Sequence, residues 1–385
     1  MGKRVLGGAV LLAMVASAAP ARAKIEHHLS LAAAAELWLR PEVGGHGVVI
    51  INYTMAGLPR GAHFVIDYNT DTLRLAYEKI RFADGRAEAG VQTKAEVLIA
   101  GLLTDYYRHG ISDPKRGFYA SYFSTGGYVK ATENPHYLEL AFDIKRWFFG
   151  RENATAPELI LPPEMWVGEL RARYTLWLLD PDPSLWEPHR LFPRVRGVAF
   201  GLEAGADIRS DSRAWGARDA SVFAPADYRN DPSRVVVQAR QWFYGGVQVH
   251  PRVRLQVAES ALWMWNEDDL VRARVGGMNP YVVPLAGAPW ASFLAGRLAS
   301  ADLSVHVRAW RELEVGAIAD VVAIDDYDRT GVSPKAAVLF GAGAFGDFRY
   351  KAWQFDLRAG FSPSVSPTDH AAWSLFGAAG WGWSR

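Results

Sequence analysis

Residues 353–361 read WQFDLRAGF: Trp353, Phe355, Leu357, Ala359 and Phe361 are apolar, with Gln354, Asp356 and Arg358 between them. A repeat of two is the period of a β-strand whose two faces meet different surroundings. In a soluble sandwich the apolar face packs inward, whereas in a transmembrane barrel it meets lipid. One strand is compatible with both, so the decision rests on how often, and in what order, the pattern recurs.

It recurs along the chain. Residues 138–145 set Leu138, Leu140, Phe142 and Ile144 against Glu139, Asp143 and Lys145. Residues 166–178 set Trp166, Leu170, Tyr174 and Leu178 against Glu169, Arg171 and Arg173, and residues 198–209 set Phe200, Leu202 and Ile208 against Glu203, Asp207 and Arg209. Further candidate strands lie near 26–40, 46–56, 62–68, 72–82, 87–106, 118–130, 235–249, 253–265, 302–310, 313–324, 337–350 and 373–383. The count is sixteen, with fourteen as the alternative.

The connections carry a second regularity. Read back from the carboxyl end, 362–372 is long, 351–352 short, 325–336 long, 311–312 short, 266–301 very long, 250–252 short and 210–234 long. Short turns at one end and long loops at the other are the plan of an outer-membrane barrel, with the turns periplasmic. The connection 179–197 departs from it, with nineteen residues where a turn is due.

Composition narrows the class. A formal charge of +1 over 385 residues leaves no electrostatic footprint for nucleic acid. The absence of cysteine excludes disulfides, a thiolate metal site and a lipid-modified terminal cysteine. The opening MGKRVLGGAVLLAMVASAAPARA has Lys3 and Arg4 before an apolar stretch and ends Ala21-Arg22-Ala23, so 1–23 reads as a secretory signal peptide and 24–385 as the mature barrel. An uncleaved anchor is the alternative. After it no apolar run reaches the roughly 18 residues of a membrane helix. Aromatic-rich strands with 36 glycines fit a barrel or a large sandwich.

Orientation follows from cost. A sixteen-stranded barrel is too wide for side chains to fill, so an apolar interior would enclose a dry void. The reverse arrangement would place Arg171, Arg173, Asp356 and Arg358 in hydrocarbon, where a basic side chain at the midplane costs about 2–4 kcal/mol. The expected fold is therefore all-β, a transmembrane antiparallel barrel of the bacterial (Gram-negative) outer membrane, with its charges in the lumen. Those charges are Glu139, Asp143, Lys145, Glu169, Arg171, Arg173, Arg240, Arg254, Asp320, Asp347, Arg349, Asp356 and Arg358. Both signs are present, which favours a lumen braced by a folded-in loop over a charge-selective pore. In the last strand Trp373, Leu375, Gly377, Ala379, Trp381 and Trp383 share a face, the aromatic-ended form of an outer-membrane recognition signal, although Ser384 and Arg385 follow.

No cofactor, metal or catalytic site is expected. GAGAFG at 341–346 has nucleotide-loop spacing but sits inside an alternating run with no helix after it, so its glycines are read as relief where the wall bends. His306 alternates with Ser304 and Arg308 and is read as a hydrogen-bonded wall residue. His27 and His28 lack a second ligand cluster. No nucleophile elbow occurs, and a wall-embedded lipid-modifying hydrolase stays an alternative.

The longest connection, 266–301, reads NEDDLVRARVGGMNPYVVPLAGAPWASFLAGRLASA. A long loop with little charge in its middle is expected to fold into the lumen rather than stand in water; a receptor-binding loop is the alternative. With Arg274, Gly276 and Gly277 at its start and Asp320 in VGAIADVVAI downstream, residues 253–383 resemble the BamA/TamA superfamily of assembly and secretion barrels, the bacterial surface antigens. The resemblance implies that this sixth extracellular loop returns into the lumen and meets wall acids, and that protein or lipid moves through a loop-gated lumen or a weak seam between first and last strands. It also implies outer-membrane lipid and lipopolysaccharide as partners. Two departures stand out. Val283-Pro284-Leu285-Ala286-Gly287 replaces the family's Arg-Gly-aromatic, leaving Arg272 or Arg274 as the substitute cation. Strands begin directly after the signal peptide, so no periplasmic POTRA modules are expected and client recognition falls to a periplasmic partner. A porin-like diffusion channel is the other functional reading.

Overall fold

The computed structural model describes residues 24–39, 43–69, 72–96, 107–108, 111–112, 114–180, 196–217, 229–230, 232–278, 283–289, 291–327, 334–363 and 371–385. Residues 1–23, read from the sequence as a signal peptide, all of 97–106, expected as the end of a strand, and most of the anomalous connection 179–197 lie outside them. Sixteen strands form one closed antiparallel barrel. They are β1 (Glu26–Leu39), β2 (Val43–Ala56), β3 (His63–Asn69), β4 (Thr72–Phe82), β5 (Ala87–Glu96), β6 (Phe118–Glu133), β7 (His136–Arg151) and β8 (Met165–Leu179). There follow β9 (Gly197–Arg209), β10 (Val235–His250), β11 (Val253–Trp265), β12 (Arg297–Arg308), β13 (Leu313–Tyr327), β14 (Pro334–Tyr350), β15 (Trp353–Ser362) and β16 (Ala372–Ser384). Each pairs with its neighbours in sequence, and β16 pairs with β1 to close the ring.

The faces sort as hydrocarbon requires. In β15 Leu357 is 67% exposed on the outer surface while Asp356 is 6% exposed and faces inward. Leu138, Leu140, Phe142 and Ile144 of β7 likewise point out, and Glu139, Asp143 and Lys145 point into the lumen. Outward Trp166, Trp263, Trp265 and Trp373 ring the loop end; Tyr350, Trp353, Trp381 and Trp383 ring the turn end. Two aromatic girdles flanking an apolar band mark the two membrane–water interfaces. No helix among the described residues is long and apolar enough to cross a membrane; the strands do the crossing.

One boundary moved. β12 begins at Arg297, so the long loop is 266–296 and not 266–301. The stretch Arg297–Ala301 carries small residues and weak alternation, yet it continues the ladder with β11, from Trp263↔Arg297 to Glu259↔Ala301. Pairing to a neighbour, invisible to a period count, sets the strand's start.

Replacing Leu357 by Arg puts a cation on the lipid face and is expected to cost about 2–4 kcal/mol if the position lies near the midplane. Urea titration of the barrel folded in lipid vesicles reads this; a change below about 0.5 kcal/mol would contradict the outward assignment.

Candidate functional site

The loop 266–296 is fixed first at its base. Asp268 accepts two 2.8 Å bonds from the Arg209 guanidinium and a 3.2 Å bond from Trp215 Nε1. Both charged side chains are 1% exposed. Removing either partner of such a pair strands a buried charge, at about 3–5 kcal/mol. From this base a short ribbon, Ala273–Val275 against Phe293–Ala295, leads on to the loop tip.

At the ribbon's end the chain turns through Gly276 (φ +117°) and Gly277 (φ +94°), a left-handed region that favours glycine. A Cβ on Gly276 would lie 2.8 Å from Ser292 Oγ and collide with the Pro289 carbonyl. The returning segment 283–287 bonds back to the turn: Gly276 N donates to Val283 O at 3.0 Å, and Leu285 N to Gly277 O at 3.0 Å.

Three amides of the loop tip then reach the lumen wall. Met278 N donates to Glu36 Oε1 of β1 at 2.9 Å, Ala286 N to Asp320 Oδ2 of β13 at 2.7 Å, and Gly287 N to Ser374 Oγ of β16 at 3.0 Å. The wall is cut away beneath them. A Cβ on Gly360 would sit 2.5 Å from Gly287 N, and one on Gly341 2.6 Å from the Ala286 carbonyl. Gly341 therefore makes room for the loop, which replaces the reading of that glycine as relief at a bend. Apolar packing completes the seat. Val275, Leu285 and Phe293 bury against Leu262, Val322, Ile324 and Leu339. Met278 and Ala286 bury against Ala32, Val48, Ile50 and Phe376.

The seam itself is not weak in its pairing. β1 and β16 match from His28↔Ser384 to Leu39↔Trp373 without a break. Its middle sets Ala32, Ala33, Ala34 and Ala35 against Gly380, Ala379, Ala378 and Gly377, so backbone bonds hold it more than side chains do. The loop spans this junction from inside, bonded to Glu36 on one strand and Ser374 on the other.

The residues singled out from the sequence divide. Gly276, Gly277 and Asp320 meet at the loop. Arg274 lends its carbonyl to Val283 N at 3.2 Å. Arg272 bonds Asp269 within the loop base at 2.5 Å, and backbone amides of Met278, Ala286 and Gly287 reach the wall. The predicted lumen charges of β7–β9 pair across the wall: Arg173 bonds Glu139 at 2.9 Å and Glu203 at 2.7 Å, Lys145 bonds Glu169 at 2.5 Å, and Arg171 bonds Asp207 at 2.5 Å. Asp143 accepts from Gln92 at 3.2 Å. On the other side Arg349 holds Asp347 at 2.7 Å, Gln354 donates to Asp356 at 2.8 Å, and the Arg358 guanidinium lies 5.4 Å from the Phe345 ring. Arg254 bonds Glu314 at 2.9 Å, with His306 Nδ1 3.2 Å from Arg254 and Nε2 3.1 Å from Ser304 Oγ. Arg240 stands opposite Glu203 in the ladder. Trp373, Leu375, Trp381 and Trp383 belong to the lipid face of β16 and do not touch this site.

Glu36 and Ser374 were missed. Each is a polar residue on the lumen face among small or apolar ones, Glu36 with Ala32 and Ala34, and Ser374 with Ala372 and Phe376. An isolated polar group on such a face is the signal that could have marked them.

Asp320→Ala would leave the buried Ala286 N–H without its partner, at about 1–3 kcal/mol. Limited proteolysis in membranes is expected to cut within the loop at least five-fold faster while heat-modifiable gel mobility, the mark of a closed barrel, persists. An unchanged cutting rate would show that this bond does not hold the loop.

No family model matches the chain, and no curated protein does. Solved structures do. BamA from Haemophilus ducreyi lacking POTRA domains 1–3 superposes over 94% of this chain and 71% of its own, with TM-score 0.61 at 10% identity. CdiB from Acinetobacter baumannii covers 93% of this chain and 60% of its own, with TM-score 0.52 at 9% identity. At such identities the likeness is one of fold. With its closed ring, lipid-facing apolar band and aromatic girdles, this chain is a sixteen-stranded outer-membrane β-barrel whose fold is similar to that of the BamA barrel.

Proposed function

We propose that this barrel moves or inserts protein or lipid at the outer membrane, and that its sixth extracellular loop is the latch that holds both lumen and β1–β16 seam closed. One observation carries the proposal: the loop tip donates amide bonds to β1, β13 and β16 together, so it cannot leave the wall without releasing the seam from inside. Bonds to a carboxylate contribute about 1.5–3 kcal/mol each. A client opens the latch only if it binds the open form more tightly than the closed one by at least what those bonds and the apolar seat supply.

Outer-membrane lipid and lipopolysaccharide are the surroundings such a device works on. Client recognition is assigned to a periplasmic partner, as the resemblance to assembly barrels without periplasmic modules implies; the described turns 134–135, 251–252 and 351–352 are too short to fold into a receptor. The paired charges of β7–β9 support a passive wetted wall rather than a one-sign selectivity ring.

Conductance in planar bilayers tests the latch. Intact protein is expected to stay mostly closed, and removal of 278–290 to raise mean conductance at least five-fold. Steady large openings from intact protein would establish a diffusion channel, and conductance unaltered by the deletion would show that the loop never obstructed the lumen.

A further inference from the structure

One place on the lipid face breaks the pattern on which the barrel is built. β11 presents Leu255, Val257, Ala261, Trp263 and, between them, Glu259 on its outer surface; Leu262 and Met264 face in. Register leaves no doubt of the face, because Glu259 pairs with Ala301 while the next residue pair, Ala258 and Asp302, belongs to the lumen row with Asp320. Glu259 is the middle residue of the strand Val253–Trp265, six residues from either end. At about 3.3 Å per residue that is roughly 20 Å of strand from the turn end, and roughly 13 Å from Trp263 of the loop-end girdle. On β10 the outward row carries Gln241, whose ladder partner is Ala261, and Glu259 lies opposite Phe243. A carboxyl group and a carboxamide thus stand diagonally adjacent near mid-height on a wall that meets acyl chains. Among the described residues neither has a hydrogen-bond or ion-pair partner.

Acyl chains supply neither donors nor acceptors, and lipid headgroups lie at the strand ends, so the groups that satisfy this pair must come from protein. The surface beside it is made for close approach. Ala172, Ala204, Ala239 and Ala261 line a depression of about 400 Å³, with Leu138 and Leu202 at its margin. Small residues of this kind let backbones come near each other in membranes.

We propose that this face is the dimer interface of the protein with a second copy of itself. A donor amide beside an acceptor carboxyl is self-complementary under a two-fold axis: Gln241 of one copy donates to Glu259 of the other, and the reverse contact follows from symmetry. Any other occupant would need its own polar pair at the same depth, whereas a second copy carries it already.

The absence of native cysteine makes the test direct. Ala261→Cys, at the pair, is compared in outer-membrane vesicles with Val49→Cys, which faces lipid near the middle of β2 across the barrel. A bis-maleimide is expected to yield a band of twice the monomer mass at least ten-fold more with Ala261→Cys. Adding Glu259→Leu and Gln241→Leu should cut that yield at least five-fold. Leucine suits a lipid-facing site, and heat-modifiable mobility checks that this variant is folded. Glu259→Gln should retain the band, since two carboxamides still pair. Sedimentation of the unsubstituted protein in mild detergent is the second reading and should give the dimer mass, with the monomer mass for the double-leucine variant. The proposal is overturned if position 261 crosslinks no better than 49, if the double-leucine change leaves the yield intact, if the product has the mass of a different partner, or if the unsubstituted protein sediments as a monomer.

Discussion

Hydrocarbon offers no partner to a charge or to a backbone amide, and every feature of this barrel is bound by that. The backbone answers by closing the sheet, so that β16 meets β1 and no edge remains. The side chains answer by alternation, which sends every second residue to lipid and gives the others to an interior too wide for them to fill. A polar lumen is thus a consequence of lipid outside, and what the lumen does with its polar groups is where this chain acquires its character.

It treats two arcs of wall differently. On β7–β9 carboxylates and guanidiniums pair with each other across the wall, as Arg171 with Asp207 and Arg173 with Glu139 and Glu203, and at the loop end of β9 Arg209 pairs with Asp268 of the loop base. Around the seam the acceptors Glu36, Asp320 and Ser374 take their bonds from the loop instead. The loop is therefore part of how the seam side satisfies its polar groups, and the glycines at 341 and 360 are the space left for it. A seam of alanine and glycine, with little side-chain packing of its own, gains from a brace that bonds both its strands.

The strands were legible because a period of two with a one-residue offset is what two unlike solvents impose, and WQFDLRAGF shows it without exception. The alternation of long and short connections then chose lipid over a soluble core. The loop's attachment was legible in one acceptor, Asp320, and not in its donors, which are main-chain N–H groups of Met278, Ala286 and Gly287 that every residue but proline possesses. Arg272, expected as the substitute cation, bonds Asp269 in the loop base. Glu259 is legible: in the run VRLQVAESALWMW it is the one charge on the apolar row.

The account stands on which face meets lipid, and single-cysteine scanning of 353–361 in membranes measures that face by face. Cysteines at 353, 355, 357, 359 and 361 are expected to be quenched by lipid-dissolved probes, and those at 354, 356 and 358 to be reached, if at all, only by a small aqueous reagent. The opposite phase, or all nine positions reacting equally with water-borne reagent, would contradict the barrel described here.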